Sequence, residues 1–523
     1  MKMDFLEQLT EINNAVNDFV WTKLGLILLI GAGIVLTVST KFFQVSHIKE
    51  WWTKTIGGTF SKKSKARKNK EHGSVSQFQA LCTALAATIG TGNIAGVASA
   101  ICVGGPGAVF WMWIAAFFGM MTNFSENILG IYYRRKNSEG EWCGGAMYYL
   151  RDGLGGYKHC KYVGRVLAAL FSVFAVLASF GIGNMGQINK IVINLDSALL
   201  SGLDLGYAFG NVKWTSLILG VVLMVLAALI ILGGLKRIAS FAEKVVPFMA
   251  CAYIVGCLIV FFVHIGSIGA IFASIFKFAF GIEAVAGGFV GIGVKEVITQ
   301  GCKRGVFSNE AGLGSSVMVH SASNVREPVK QGMWGIFEVF ADTMVVCTMT
   351  AVVILSSGAI DLNTGIVAEG TNDATLVANA FGNVFGPAGQ IFVSLAILLF
   401  AFTTVVGWSH YGAKSFEYLF GTKAAKVYKV IFVLMIVSGA VMTSSLAWDI
   451  SDTFNGLMMI PNLIGVLSLL PMVIKITKNY VDRRIRKLDV EPMLSYDPQI
   501  QAEHAKDVEL EEQEEMAETV STK

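Results

Sequence analysis

The sequence predicts an all-α polytopic membrane protein of eleven spans, one extra N-terminal helix followed by two five-helix halves of opposite orientation. Three observations carry that expectation. Hydrophobic residues make up 54% of the 523 and charged residues only 15%, against about a quarter in soluble chains, and the mean hydropathy is +0.59. Apolar runs long enough to cross the hydrocarbon core, about 20 residues each, recur along the whole chain. Lys and Arg gather in alternate loops, as they do on the cytoplasmic side of a membrane. This composition excludes a soluble globular enzyme, and the acidic Asp4 and Glu7 ahead of the first apolar run do not fit a signal peptide.

Nine segments read as clean spans: Leu24 to Val38, Gly105 to Leu129, Val166 to Ile188, Trp214 to Leu235, Val245 to Val263, Met344 to Ile360, Gly386 to Gly407, Val430 to Trp448 and Phe454 to Ile474. Two more, Ser76 to Ile101 and Ile282 to Gln300, are apolar but rich in Gly, Thr and other small residues, which weakens a continuous helix. The expected organisation is an extracellular amphipathic lead-in (1–19), the extra helix (20–40), a basic cytoplasmic loop (41–75), the first repeat (76–265), the second repeat (266–475) and a cytoplasmic tail (476–523). Phe5, Leu6, Leu9, Ile12, Val16 and Phe19 recur at helical spacing, fitting either a helix on the outer surface or the lead-in to the first span. With the N-terminus outside and the C-terminus cytoplasmic, 36 of the 41 basic residues fall inside, including Lys295 to Lys330. The acidic tail from Glu503 reads as disordered or marginally helical. The eight scattered cysteines, without a C-x-x-C pair, read as small core residues.

Two strings mimic dinucleotide fingerprints, GTGNIA from Gly90 and GIGNMG from Gly181. The fingerprint requires a strand before it and a soluble helix after it, whereas both strings lie in apolar stretches of membrane length. Thr88 to Asn93 reads instead as a break inside a membrane helix, with a close-packing glycine face as the alternative. Broken backbone is tolerated at membrane depth only where protein or a polar cavity receives its open groups. Free N–H groups at the start of the next half-helix suit a carboxylate, and freed carbonyls suit a hard cation. The other interrupted segment carries Gly287 and Gly288, so each five-helix half opens on a broken helix. Paired breaks in inverted halves point to a secondary-transporter site near the midplane.

The strings TALAATIGTGNIAGV (Thr83 to Val97), GGPGAVFWMWIAAFFG (Gly104 to Gly119) and RGVFSNEAGLGS (Arg304 to Ser315) closely resemble the alanine/glycine:cation symporters, also called sodium:alanine symporters, and the resemblance runs from about Leu24 to Ile474. It implies a LeuT-like fold of 5+5 inverted repeats with one extra N-terminal helix. It also implies that Thr91, Gly92 and Asn93 meet a substrate carboxylate, that Asn93 meets a sodium ion, and that the carbonyls of Ala86 and Ile89 with Thr403 and Thr404 meet a second sodium. Gln187 is the expected substrate-reaching side chain, with Asn184 as competitor, and Gly287, Gly288, Phe289 and Trp408 are expected to shape a small pocket. Glu283 is left between a functional acid and a partner for Lys277. Glu338 and Asp342 share a helical face, fitting a gate or, more blandly, a solvated interface.

The function this implies is sodium-coupled import of a small neutral amino acid, alanine or glycine, in the plasma (inner) membrane, with no cofactor beyond the co-transported ion and no nucleic-acid partner. A proton-coupled, glutamine- or serine-carrying member of the same fold is the alternative, and an ion channel is the reading from another class. No zinc-binding His pair, nucleophile elbow or paired-aspartate arrangement lies in an apolar run, which argues against an enzyme.

Overall fold

The computed structural model describes residues 5–59, 73–200, 205–210, 212–280, 293–368, 373–442 and 446–521. Its principal helices are α1 (Glu7–Ser39), α2 (Gln77–Thr88), α3 (Thr91–Gly104), α4 (Ala108–Tyr132), α5 (Lys161–Leu199), α6 (Trp214–Ile231), α7 (Gly234–Val263) and α8 (Ile265–Ala279). They continue as α9 (Val294–Asn309), α10 (Pro328–Ser356), α11 (Leu376–Phe385), α12 (Pro387–Phe420), α13 (Thr422–Val441), α14 (Asp449–Ser468), α15 (Leu470–Ile485) and α16 (Pro498–Ser521). Among the described residues eight helices are long and apolar enough to cross a membrane, or ten if the bent pairs α2/α3 and α14/α15 each count as one span. That is fewer than the eleven expected. The segment Ile282 to Gln300 lies largely outside the described residues, as do Glu283, Gly287, Gly288 and Phe289.

Local chemistry explains the ends and bends. A capping box opens α2: Gln79 N–H donates to Ser76 Oγ (3.1 Å) and Ser76 N–H to Gln79 Oε1 (3.0 Å). α1 runs unbroken through a π-helical stretch at Phe19–Leu24, and Asn17 Nδ2 donates to Asp452 Oδ2 at 3.0 Å. The amphipathic lead-in is therefore packed on α14 as the start of the first helix. Phe454 to Ile474 is not one straight span. The chain bends by 59° between α14 and α15, where Pro471 in the first turn of α15 can supply no N–H to the preceding turn. The Gly181–Met185 string is a π-helical turn inside α5, with no strand before it.

One large apolar cluster joins α1, α4, α5, α9, α10 and α14, and a second joins α2, α3, α4, α7, α10 and α12. Arg134, past the end of α4, lies between loops: its guanidinium donates to the carbonyls of Ser321 (3.1 Å), Ser323 (2.6 Å) and Val325 (2.6 Å) and stacks 4.0 Å over Trp142. Trp142 belongs to the hairpin of β1 (Arg135–Lys136) and β2 (Trp142–Cys143).

The acidic tail is more ordered than its composition suggests. Tyr496 N–H donates to the Tyr132 carbonyl (2.9 Å), Arg326 pairs with Asp507 (2.8 Å), and Val508 and His504 are buried. His504 lies against Trp142, its Nδ1 without a hydrogen-bond partner. Burial, aided by the nearby charges of Arg134, Arg326 and Lys136, pushes its pKa down to about 2. A depressed histidine pKa means that docking favours the neutral ring, so the docked tail keeps its full stability above the ordinary value of about 6.5 and loses it as pH falls below that. Limited proteolysis of the tail should therefore accelerate on acidification below that value, and His504→Leu should remove the acceleration. Equal cleavage rates across that range in the unmutated protein would disprove the docking role.

Candidate functional site

Helix α2 ends at Thr88 because the chain turns out of helical geometry at Ile89 and Gly90. Ile89 N–H still donates to Leu85, but Gly90 N–H turns to the Asn93 side chain, donating to Oδ1 at 3.0 Å. The carbonyls of Ala86, Ala87, Thr88 and Ile89 accordingly accept no backbone N–H among the described residues. Gly92 lies close against the next break: a Cβ there would be a tight 3.3 Å from the Phe307 ring and in ordinary contact, 3.5 Å, with the Ser308 backbone.

Those two residues belong to the end of α9, which is followed by a second break. Glu310 (φ 56°), Gly312 (φ 92°) and Gly314 (φ 74°) all take left-handed backbone, and the chain resumes as the short helix Val317–His320. The described interruption of this half thus lies in the string RGVFSNEAGLGS, downstream of Gly287 and Gly288. Along α9, Gly301 faces Ala108 and Lys303 pairs with Asp452 at 3.1 Å. Lys303 and Arg304 are therefore not in a loop with Lys330; α9 places Lys303 at the same end of the bundle as Asn17 and Asp452.

Asp342 ties the two breaks together. Asn93 Nδ2 donates to its Oδ1 (2.7 Å), while Ser308 Oγ (2.7 Å) and Thr343 Oγ1 (2.9 Å) donate to its Oδ2. Asp342 and Glu338 are both fully buried, so the solvated-interface reading of this face is incorrect.

Between the breaks lies a narrow cavity with free room of about 10 Å³, on the order of a single water. Gly92, Gln187, Thr404 and Trp408 line it, as do Phe307, Glu310 and Asn455, which the sequence reading did not single out. Gln187 Oε1 accepts from Thr91 Oγ1 (3.0 Å), which links the first break to α5. Trp408 Nε1–H donates to Glu310 Oε1 (2.9 Å), and Ser315 holds the other carboxylate oxygen. A carboxylate has about four acceptor positions, so Glu310 keeps capacity facing the cavity. Thr404 presses on the first break, its Oγ1 only 2.5 Å from where a Gly90 Cβ would sit.

Other expected residues sit off the wall. Asn93 braces the break. Thr403 Oγ1 donates to Phe400 O (2.9 Å) and lies 3.6 Å from Met249 Sδ, away from the cavity lining. Asn184 Nδ2 donates to Phe432 O (2.6 Å), joining α5 to α13. Glu310 had a legible signal, an acid between Asn309 and the Ala-Gly-Leu-Gly-Ser run. Phe307 and Asn455 had none, because only packing brings α9 and α14 to the same cavity.

Comparison with known proteins adds three findings. The model of the sodium:alanine symporter family matches residues 6–493. The sodium/alanine symporter AgcS of Methanococcus maripaludis is 42% identical over 92% of this chain and 98% of its own length, and the probable sodium/glutamine symporter GlnT of Bacillus subtilis is 37% identical over 94% and 95%. The crystal structure of MhsT in complex with L-phenylalanine superposes with a TM-score of 0.50 at 15% identity, covering 78% of this chain and 99% of that one, which supports the LeuT-like class of fold.

Trp408→Phe keeps the ring but deletes the donor to Glu310, leaving a buried acceptor short of one partner. It should lower stability by about 1–3 kcal/mol, read as an earlier thermal transition in detergent; an unchanged transition would show that this hydrogen bond does not hold Glu310.

Proposed function

The chain belongs to the sodium:alanine symporter family, and we propose that it is a secondary active symporter importing a small neutral amino acid, alanine or glycine, together with sodium by alternating access. The observation that carries the reading is the pair of broken helices enclosing a small cavity with donors on one side and a carboxylate on the other. The α-carboxylate of a zwitterion is matched by the N–H groups of Thr91 and Gly92 at the start of α3, where the half-helix dipole is positive. Its ammonium is matched by Glu310, with the amide oxygen of Gln187 beside it. A zwitterion thus meets opposite charge at both ends, whereas a simple carboxylic acid or amine meets only one.

Sodium is a hard cation served by carbonyl and hydroxyl oxygens. The freed carbonyls of Ala86 and Ile89 supply such oxygens, and Thr404, packed against Gly90, completes the set. Thr403, turned to Met249, would have to change rotamer to join them. The Asn93 oxygen keeps one lone pair beyond its bond to Gly90 and is available to an ion beside the substrate carboxylate. Trp408, Phe307 and Ile182 wall the cavity with apolar surface and set side-chain size. Glutamine is the second substrate to consider, since one relative is named for it.

Uptake into proteoliposomes of a panel of labelled amino acids, under sodium, lithium and proton gradients imposed separately, tests the assignment. Equal alanine and glycine uptake in choline and sodium media would end the sodium reading. Thr404→Ala should raise the sodium concentration needed for half-maximal uptake while leaving the rate at saturating sodium nearly intact. Gly183→Ala would set a Cβ 2.6 Å from the Cβ of Trp408, driving the indole into the cavity. One methylene in a fitted pocket is worth about 10- to 200-fold in discrimination, so the alanine-to-glycine uptake ratio should fall by about tenfold or more; an unchanged ratio would take Trp408 off the substrate path.

A further inference from the structure

We propose that the cavity between α12, α13 and the β1–β2 hairpin is a phospholipid site, one that takes an ethanolamine headgroup with its phosphate at the start of α13 and its ammonium at the glutamates of the rim. The cavity has free room of about 50 Å³, enough for about three or four waters, against about 10 Å³ between the breaks. α13 contributes Thr422, Lys426 and Lys429 to its wall, and α12 contributes His410 and Lys414. Two independent observations mark a place for an anionic group. α13 is 20 residues long and starts at Thr422 with no side chain capping it, so the N–H groups of its first turn have no intrahelical partner, a ready setting for a phosphate. His410 is only 4% exposed, and its Nε2 is buried without a hydrogen-bond partner. A polar atom so deep is ordinarily bonded, and a headgroup in the cavity would satisfy it directly or through one water.

The charges of the wall set the class of ligand. Lys414 is committed to Glu417 (3.0 Å) and Glu141 (3.3 Å), and Lys426 to Glu139 (2.8 Å). Lys429 has no ion pair or hydrogen bond among the described residues, because the acids near it, Glu141, Glu417 and Glu139, are held by those two lysines. It shares a face of α13 with Thr422 and Lys426, so its ammonium is left for a phosphate. Three lysines against three glutamates make the wall neutral overall, and a purely anionic headgroup would be repelled about as much as attracted. A headgroup with both a phosphate and an ammonium meets opposite charge at each end, since Glu139 and Glu141 stand half-exposed at the rim. The surroundings favour the membrane as the source. Val427, Val430, Ile431 and Leu434 form an exposed apolar strip on α13 that starts beside Lys426, where acyl chains would continue from a headgroup seated in the cavity; a soluble phosphate ester would leave that strip unused.

Native mass spectrometry of the detergent-purified full-length protein, titrated with phosphatidylethanolamine, phosphatidylcholine or phosphatidylglycerol of the same acyl chains, tests the site. One phosphatidylethanolamine per chain should bind about tenfold or more tighter than either of the others, the worth of a charge-assisted hydrogen bond. Lys429→Gln should weaken that binding by about tenfold or more, whereas Lys423→Gln, at an exposed lysine outside the wall, should leave it unmoved. Glu139→Gln, which removes a partner of the ammonium and frees Lys426, should shift the preference toward phosphatidylglycerol. Free O-phosphoethanolamine at equal concentration should not displace the lipid. The proposal is overturned by equal affinity for the three lipids, by tighter binding of phosphatidylglycerol to the unmutated protein, or by a preference and affinity that neither Lys429→Gln nor Glu139→Gln moves. It is equally overturned if Lys423→Gln weakens binding as much as Lys429→Gln, or if free O-phosphoethanolamine displaces the lipid, which would make the cavity a site for a soluble phosphate ester.

Discussion

Lipid offers no hydrogen-bond partners to an open backbone, and that constraint governs the centre of this protein. Two stretches leave helical geometry at depth, at Ile89–Gly90 and at Glu310–Gly314, and each survives because the other is opposite it. Asp342 accepts from Asn93 on one side and Ser308 on the other, so a single carboxylate holds the two breaks in register. What the protein itself does not satisfy, the carbonyls at the end of α2 and the N–H groups at the start of α3, is what a cation and a carboxylate would take.

The surrounding helices act as a frame for that pair of breaks. Gly407 lets α12 approach Ala87 closely enough for Thr404 to press on Gly90. Trp408, four residues after Thr404 and so on the same face of α12, reaches Glu310 on the other break. One helix thus touches both halves of the site, and its length of 34 residues, about 51 Å at 1.5 Å per residue, carries it from the cavity to an ion-paired end of the bundle. There Lys414 meets Glu417 at 3.0 Å and Glu141 at 3.3 Å, linking α12 to the loop after α4. Arg134 performs the same service for the loop after the second break.

Buried acids distinguish this interior from a simple apolar bundle. Glu126, Glu310, Glu338 and Asp342 all lie within it, and each is held by neutral donors such as Asn462, Trp408, Asn123 and Ser308. Such donors orient a carboxyl without cancelling its charge.

The amino-acid sequence by itself determined the membrane class, most span positions, the first break and its strings, because hydropathy, glycine clustering and charge act locally and are written in consecutive residues. Gly92, Gln187, Thr404 and Trp408, which line the cavity, were reached through the family resemblance and its strings, not through local hydropathy or charge alone. Only the tertiary structure decided that the second described break lies at Glu310, since Gly287–Gly288 and Gly312–Gly314 are equally glycine-rich and nothing local says which one faces Gly92. It also decided that α14 bends at Leu469, that Thr403 turns to Met249, and that Asp342, Phe307 and Asn455 belong with the centre. Those outcomes depend on which helix faces are pressed together, a property of pairs of distant segments that no single stretch of residues contains.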